Sequence, residues 1–278
     1  MFPGLMFLGP GNTLERFVAR MSRPFPSIPF DEKPSKPRDR EITMLVDFGI
    51  PLGATRDLLE LASDAIDLAK VAVGTAALYP PDVLTKKLAA YQGAGVTPFP
   101  GGQFLEYAIH IGKVESYFDD ARAAGFPAIE VSDNLLDIAP EAKHEIIRSA
   151  VRDHGFRVLG EVGSKDATND SADLIADAAG CLAAGAWKVL VEAAEFFEGG
   201  RFRESFADEI LAQLDPADLI FELPGSWIPG IAASDVHAMQ VWLLERVGVD
   251  ANVGNVAPSD IVSFEALRRN LGVKMRFD

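Results

Sequence analysis

A single cysteine, Cys181, stands in this 278-residue chain, so no internal disulfide can form. Its setting in "AAGCLAAGA" reads as a core thiol rather than a nucleophile, and a reducing cytoplasm is the expected compartment. Basic residues are scarce: 26 lysines and arginines face 41 acids, a net charge of −15. That balance repels nucleic-acid phosphates and anionic lipid, which excludes both as partners of choice. No apolar run is long enough to cross a bilayer, and the opening "MFPGLMFLGPGN" lacks the basic flank of a signal peptide. The four histidines, His110, His144, His154 and His237, are too scattered for a zinc pattern. No glycine-rich dinucleotide fingerprint follows the first apolar run, and "VDFG" stands without the other kinase motifs. The three tryptophans, Trp187, Trp227 and Trp242, are expected in core or interface.

Proline, by contrast, is concentrated early. Residues 20–40, "RMSRPFPSIPFDEKPSKPRDR", hold five prolines among many charges, so 1–40 is expected to be an extended arm and 41–278 the folded domain. From Glu41 on, short Val-, Ile- and Leu-rich runs alternate with segments of helical period. Eight such runs occur, at 42–49, 65–75, 95–103, 127–133, 157–165, 188–195, 218–224 and 250–256, with helices such as 56–66, 82–93, 141–154, 170–184 and 258–271. This α/β alternation predicts a single-domain (β/α)8 TIM barrel, with a doubly wound open sheet as the competitor. Buried interfaces are common among barrels, so a homo-oligomer is expected, with the arm free to wrap a neighbour.

In such a barrel the active site lies at the C-terminal ends of the strands. Those ends carry Asp47, Lys70, Gln103, Glu130 with Asp133, Glu161 with Lys165, Glu192 with Glu195, Glu222, and Asn252 with Asn255. So many carboxylates on one rim repel unless a cation joins them, and hard oxygen ligands suit Mg2+. The bland alternative is a set of ion pairs with Lys70, Lys165 and nearby arginines. In "VLGEVGSKD" the apolar run ends on Glu161; Gly163 lets the chain turn so that Lys165 can reach the same space, either as a proton donor or as a partner of Asp166.

The segments "REITMLVDFGI", "AKVAVGTA", "FPGGQFLEYA", "AIEVSDNLLDIAPE", "VLGEVGSKD", "KVLVEAAE" and "EALRRNLG" resemble, in order and spacing, the phosphosulfolactate synthase family over about residues 38–272. That family adds sulfite to phosphoenolpyruvate. The resemblance implies a magnesium-dependent lyase or synthase with an enolate-like intermediate, acting on a small anionic substrate. It implies Lys165, Glu161 and Lys70 as catalytic residues and Glu130, Asp133, Glu161 and Glu192 as metal ligands. Gln103, Asn134, Arg201 and Arg203 are then expected to bind substrate. The chain departs from the family where Phe48 replaces a lysine, Gln103 a threonine, Asn134 a glycine and Ala194 an arginine. Arg201 and Arg203 are expected as substitute cations, and Phe48, Ala194 and Phe196 as room for a less anionic or bulkier molecule. Plant heat-stress relatives suggest an alternative, a non-catalytic binding or stress-protective barrel.

Overall fold

The computed structural model describes residues 24–164, 169–198 and 201–273. Lys165 lies outside them. Two compact units are present, Met1–Glu32 and Lys33–Asp278, and the second holds all regular elements described below. The helices are α1 (Leu52–Ala62), α2 (Pro81–Gly93), α3 (Gly102–His110), α4 (Val114–Ala124), α5 (Pro140–Arg152), α6 (Ser171–Ala183), α7 (Glu204–Gln213), α8 (Ala233–Arg246) and α9 (Ile261–Arg268). Proline opens α2 and α5, where a missing N–H costs nothing, and Asp170 caps α6 by accepting from Ala172 N at 3.0 Å.

Eight parallel strands form the barrel: β1 (Thr43–Asp47), β2 (Leu68–Val71), β3 (Thr97–Pro100), β4 (Ala128–Val131), β5 (Arg157–Val162), β6 (Lys188–Val191), β9 (Leu219–Glu222) and β10 (Val253–Val256). Each falls within one of the eight predicted runs. A small antiparallel hairpin, β7 (Phe197–Glu198) with β8 (Arg201–Phe202), follows β6 and was not expected. Ladder pairing runs β3-β2-β1-β10-β9-β6-β5-β4. The barrel is nearly closed, with β3 beside β4 but no ladder between them among the described residues. The reason lies in "TPFP". Thr97 N and Gly101 N donate to Asp67 and Val71 on the β2 side, so by alternation Pro98 and Pro100 occupy the positions that would donate to β4, and proline has no N–H.

Inside the barrel, Met44, Leu68, Phe99, Ala128, Leu159, Leu190 and Ile220 form a fully buried plug. Side chains two residues apart on a strand share a face. Hence the residues stacked directly above the plug are Lys70, Glu130, Glu161, Glu192 and Glu222, each two positions after a plug residue. Outward-facing Val71, Val131, Val162, Val191 and Phe221 pack against the helices.

The opposite end is sealed by buried polar groups. Asp67 accepts from Arg38 at 2.7 Å and from Thr43 N at 2.9 Å, and pairs with Lys33 at 3.3 Å. Glu41 pairs with Arg269. Residues 33–40, read from sequence as part of the arm, thus contribute side chains to this unit. Asn252, expected at the catalytic rim, sits here instead: it precedes β10, accepts from Ile42 N at 2.9 Å and donates to Ala217 O and Leu219 O.

Candidate active site at the C-terminal mouth

Lys70, at 7% exposure, lies 3.0 Å from both Glu130 Oε2 and Glu222 Oε1. Glu161, Glu192 and Glu222 are buried, and each offers a carboxylate oxygen within 4.8 Å of the others. Burial alone would lower the Lys70 pKa, but Glu130, Glu161 and Glu222 outweigh it and hold the ammonium well above its ordinary value. Glu130 moves the same way for a different reason. Burial pushes its carboxyl well up; Lys70 pulls it down, but the charges of Glu161 and Glu222 and a hydrogen bond to Glu161 keep it raised. Lys70 therefore holds its proton firmly, while the buried setting favours the neutral form of Glu130.

Such a cluster is costly without compensation, because buried like charges repel in a medium that screens poorly. Three converging carboxylates are hard oxygen donors of the kind a divalent cation takes, and Mg2+ commonly keeps water and substrate oxygens in its remaining positions. The donor set therefore fits magnesium, with Glu161, Glu192 and Glu222 as the residues placed to hold it. Glu222 was read as a rim acid but not assigned to the metal.

Asp133 stands elsewhere. It accepts from Lys143 Nζ at 2.8 Å, and the same ammonium reaches Asp177 at 2.6 Å and the Glu161 carbonyl at 2.9 Å. Strand parity explains this, since Asp133 lies an odd number of residues beyond inward-facing Glu130. Asp47 is likewise spoken for, by Lys87, the Tyr91 hydroxyl and the backbone N–H groups of Gly49 and Ile50.

A cavity of about 130 Å3 opens above the carboxylates, lined by Lys70, Gly101, Gly102, Gln103, Glu130, Glu222, Phe48, Trp227 and Asn255. Gln103, expected at a strand end, reaches this cavity from the first turn of α3. The paired glycines before it have a packing cause. A Cβ on Gly101 would stand 2.6 Å from Val73 N, and one on Gly102 would stand 2.8 Å from Glu130 Oε1 and overlap Ser132. Asn134 is buried beside this wall; its N–H donates to Glu106 Oε1 at 3.1 Å, and its side-chain amide has no hydrogen-bond partner among the described residues. Glu106, which sequence reading passed over, also accepts from Ser132 and from the N–H groups of Leu135 and Leu136, and so fixes the turn after β4.

Glu195 does the same for the segment after β5. Its carboxylate accepts from Ser164 N and Asn169 N, each at 2.8 Å, and from the Asn169 side chain. Gly163 allows the approach: it has φ +101°, and a Cβ there would lie 2.7 Å from Glu195 Cγ. Arg203 donates to the Glu195 carbonyl at 2.9 Å and stacks on Phe206 at 4.1 Å. It supports this clamp rather than reaching the carboxylate cluster. Arg201 is a β8 residue whose side chain lies outside the description. Phe196, expected to widen the pocket, is fully buried against Phe202, Phe206 and Phe221.

The fold resembles that of 3-hexulose-6-phosphate synthase from Salmonella typhimurium, with a TM-score of 0.52 over 83% of this chain and 98% of that one at 14% identity. A deoxyribose phosphate aldolase from Aeropyrum pernix gives 0.50 over 91% and 97% at 17% identity. In sequence, the phosphosulfolactate synthase of Methanothermobacter thermautotrophicus is 36% identical over 247 residues, 85% of this chain and 91% of the relative. That of Methanocaldococcus jannaschii is 32% identical over 84% and 92%. The plant Protein HEAT-STRESS-ASSOCIATED 32 of Arabidopsis thaliana is 22% identical over 87% and 91%. The family model of (2R)-phospho-3-sulfolactate synthase (ComA) matches residues 31–273, and the chain belongs to the phosphosulfolactate synthase family.

Proposed function

We propose that this protein is a carbon–sulfur bond-forming lyase that adds sulfite to phosphoenolpyruvate. The observation that carries the reading is the buried trio Glu161, Glu192 and Glu222 beside Lys70, at the mouth where barrel enzymes do their chemistry. Sulfur forms its bond to the CH2 carbon, the double-bond pair moves toward the carboxylate-bearing carbon, and that carbon takes up a proton. Magnesium held by Glu161, Glu192 and Glu222 would supply the Lewis acidity that stabilises the charge building on the substrate carboxylate. Lys70 keeps the acids in place and adds a positive charge to the floor of the well. Gln103, in the first turn of α3, is positioned to donate to substrate oxygen. Lys165 is the residue we assign as the acid that protonates carbon.

The test is incubation with phosphoenolpyruvate, sulfite and Mg2+, followed by mass spectrometry for phosphosulfolactate. Lys165→Met should keep the fold and magnesium binding while lowering turnover about a hundredfold or more. Glu161→Gln should instead weaken magnesium affinity first, so that added Mg2+ recovers part of the activity. Equal, magnesium-insensitive losses of melting temperature in both variants would reduce the pair to a structural contact. The similarity to the plant heat-stress protein favours a second reading, a protective barrel without turnover. Product formation that Lys165→Met abolishes would dispose of it.

A further inference from the structure

Next to the carboxylate well lies a second, larger cavity of about 450 Å3. The two share Val46, Phe48, Trp227 and Asn255 in their walls, so an aromatic pair stands at the boundary between them. Phe48 and Trp227 have ring centroids 5.8 Å apart and are 53% and 37% exposed. Leaving two large rings partly in water forgoes the gain from burying them, and an aromatic pair at a mouth is a ready surface for an apolar ligand.

The pair is built into the fold. The indole of Trp227 lies directly on Gly225, where any Cβ would overlap the ring. Phe48 follows Asp47, whose carboxylate ties down Gly49 and Ile50 immediately beyond it. The chemistry of the remaining wall agrees. The outer cavity is lined by the turns after β9 and β10, where many barrels bind phosphate. Here those turns supply Leu223, Pro224, Ala257 and Pro258 beside Gly225 and Ser226, and no lysine, arginine or histidine is among the described lining residues. Among the described residues the one charged lining side chain is the carboxylate of Asp260, and Pro258 has no N–H to offer an anion.

We propose that this outer cavity is a second binding subsite that takes an uncharged apolar group, resting it on Phe48 and Trp227. Building on the reading that the inner well receives the acidic end of a substrate, the ligand class is a small anion carrying an aromatic or branched aliphatic substituent. An organic sulfinate, the carbon-substituted counterpart of sulfite, is the member closest to the proposed chemistry.

Calorimetric titration of the full chain in Mg2+ tests this with benzenesulfinate and methanesulfinate, which differ only in the apolar group. Benzenesulfinate is expected to bind at least tenfold more tightly. Phe48→Lys should bring the ratio near one. So should Gly225→Ala, which displaces the indole without touching the carboxylates, and circular dichroism would confirm that both variants remain folded. Equal affinity for the two sulfinates overturns the proposal, as does a preference that both variants retain or an absence of benzenesulfinate binding. Phosphosulfolactate formation is a separate readout. Its absence alongside an intact, Phe48-dependent preference would reject the sulfite reaction and leave the subsite standing.

Discussion

Lys70 is the residue whose loss says most about the site. It stands between Glu130 and Glu222, and its replacement leaves buried acids without their ammonium. Lys70→Met should therefore destabilise the metal-free protein by about 3–5 kcal/mol near neutral pH, as breaking a buried pair generally does. The sign with pH follows from the direction of the Glu130 shift. A carboxyl whose folded pKa is raised contributes its stability fully below the ordinary carboxylate range and loses it as pH rises through the raised value. The deficit in the variant should thus shrink between pH 7 and pH 4 in urea titrations, and a deficit independent of pH would contradict the raised pKa of Glu130. Much of this cluster could be read in the sequence, because Glu130, Glu161 and Glu192 end apolar runs. What separated Glu222 from Asp133 was parity: only one keeps the two-residue spacing above the plug. The parity of a single strand is visible in its letters, but which parity faces inward is set by seven neighbours.

Among the elements, the loops after β4 and β5 show a common device, a buried glutamate from another segment that gathers backbone N–H groups. Glu106 does so for residues 134–136 and Glu195 for residues 164 and 169. Hydrogen bonds to a charged acceptor each contribute about 1.5–3 kcal/mol. Glu195→Gln, which halves the acceptor capacity, should speed amide exchange at Ser164 and Asn169 by about tenfold or more, while the plug strands keep their protection. Unchanged exchange at both amides would show that the clamp is dispensable. No local pattern in the sequence announces such an acid, since the contact joins residues 26 to 31 positions apart. The helices were legible for the opposite reason: α2, α5 and α6 carry their own starts, in Pro81, Pro140 and Asp170. The β7–β8 hairpin is two residues per strand, too short for alternation to register.

For the molecule as a whole, Cys181 offers a probe of global opening. It is buried against Gly160 of β5, and burial pushes its thiol from 9.0 up to about 12. Reactivity needs the thiolate, so iodoacetamide at pH 8 should label the native protein only at its rate of unfolding and label it rapidly in urea. Between pH 9 and about 12 the unfolded chain sheds a proton the folded one keeps, so stability falls with rising pH over that window. Cys181→Ala should flatten that part of the fall; equal slopes would place the thiol in contact with solvent. The barrel itself was legible from eight runs, yet its seam was not, because the prolines of "TPFP" gain meaning only once β4 is known to lie beside them. The two-residue spacing that lifts each acid above the plug has an inheritable consequence. Losing or gaining one codon ahead of Leu159 in β5 or of Ile220 in β9 would turn over every side chain beyond it in that strand, sending the acid toward the helices and an outward valine or phenylalanine into the well. Such a frame-preserving indel could not spare the core while damaging the site, or the reverse. In these strands foldedness and chemistry are one heritable trait, open to substitution letter by letter but closed to changes of length.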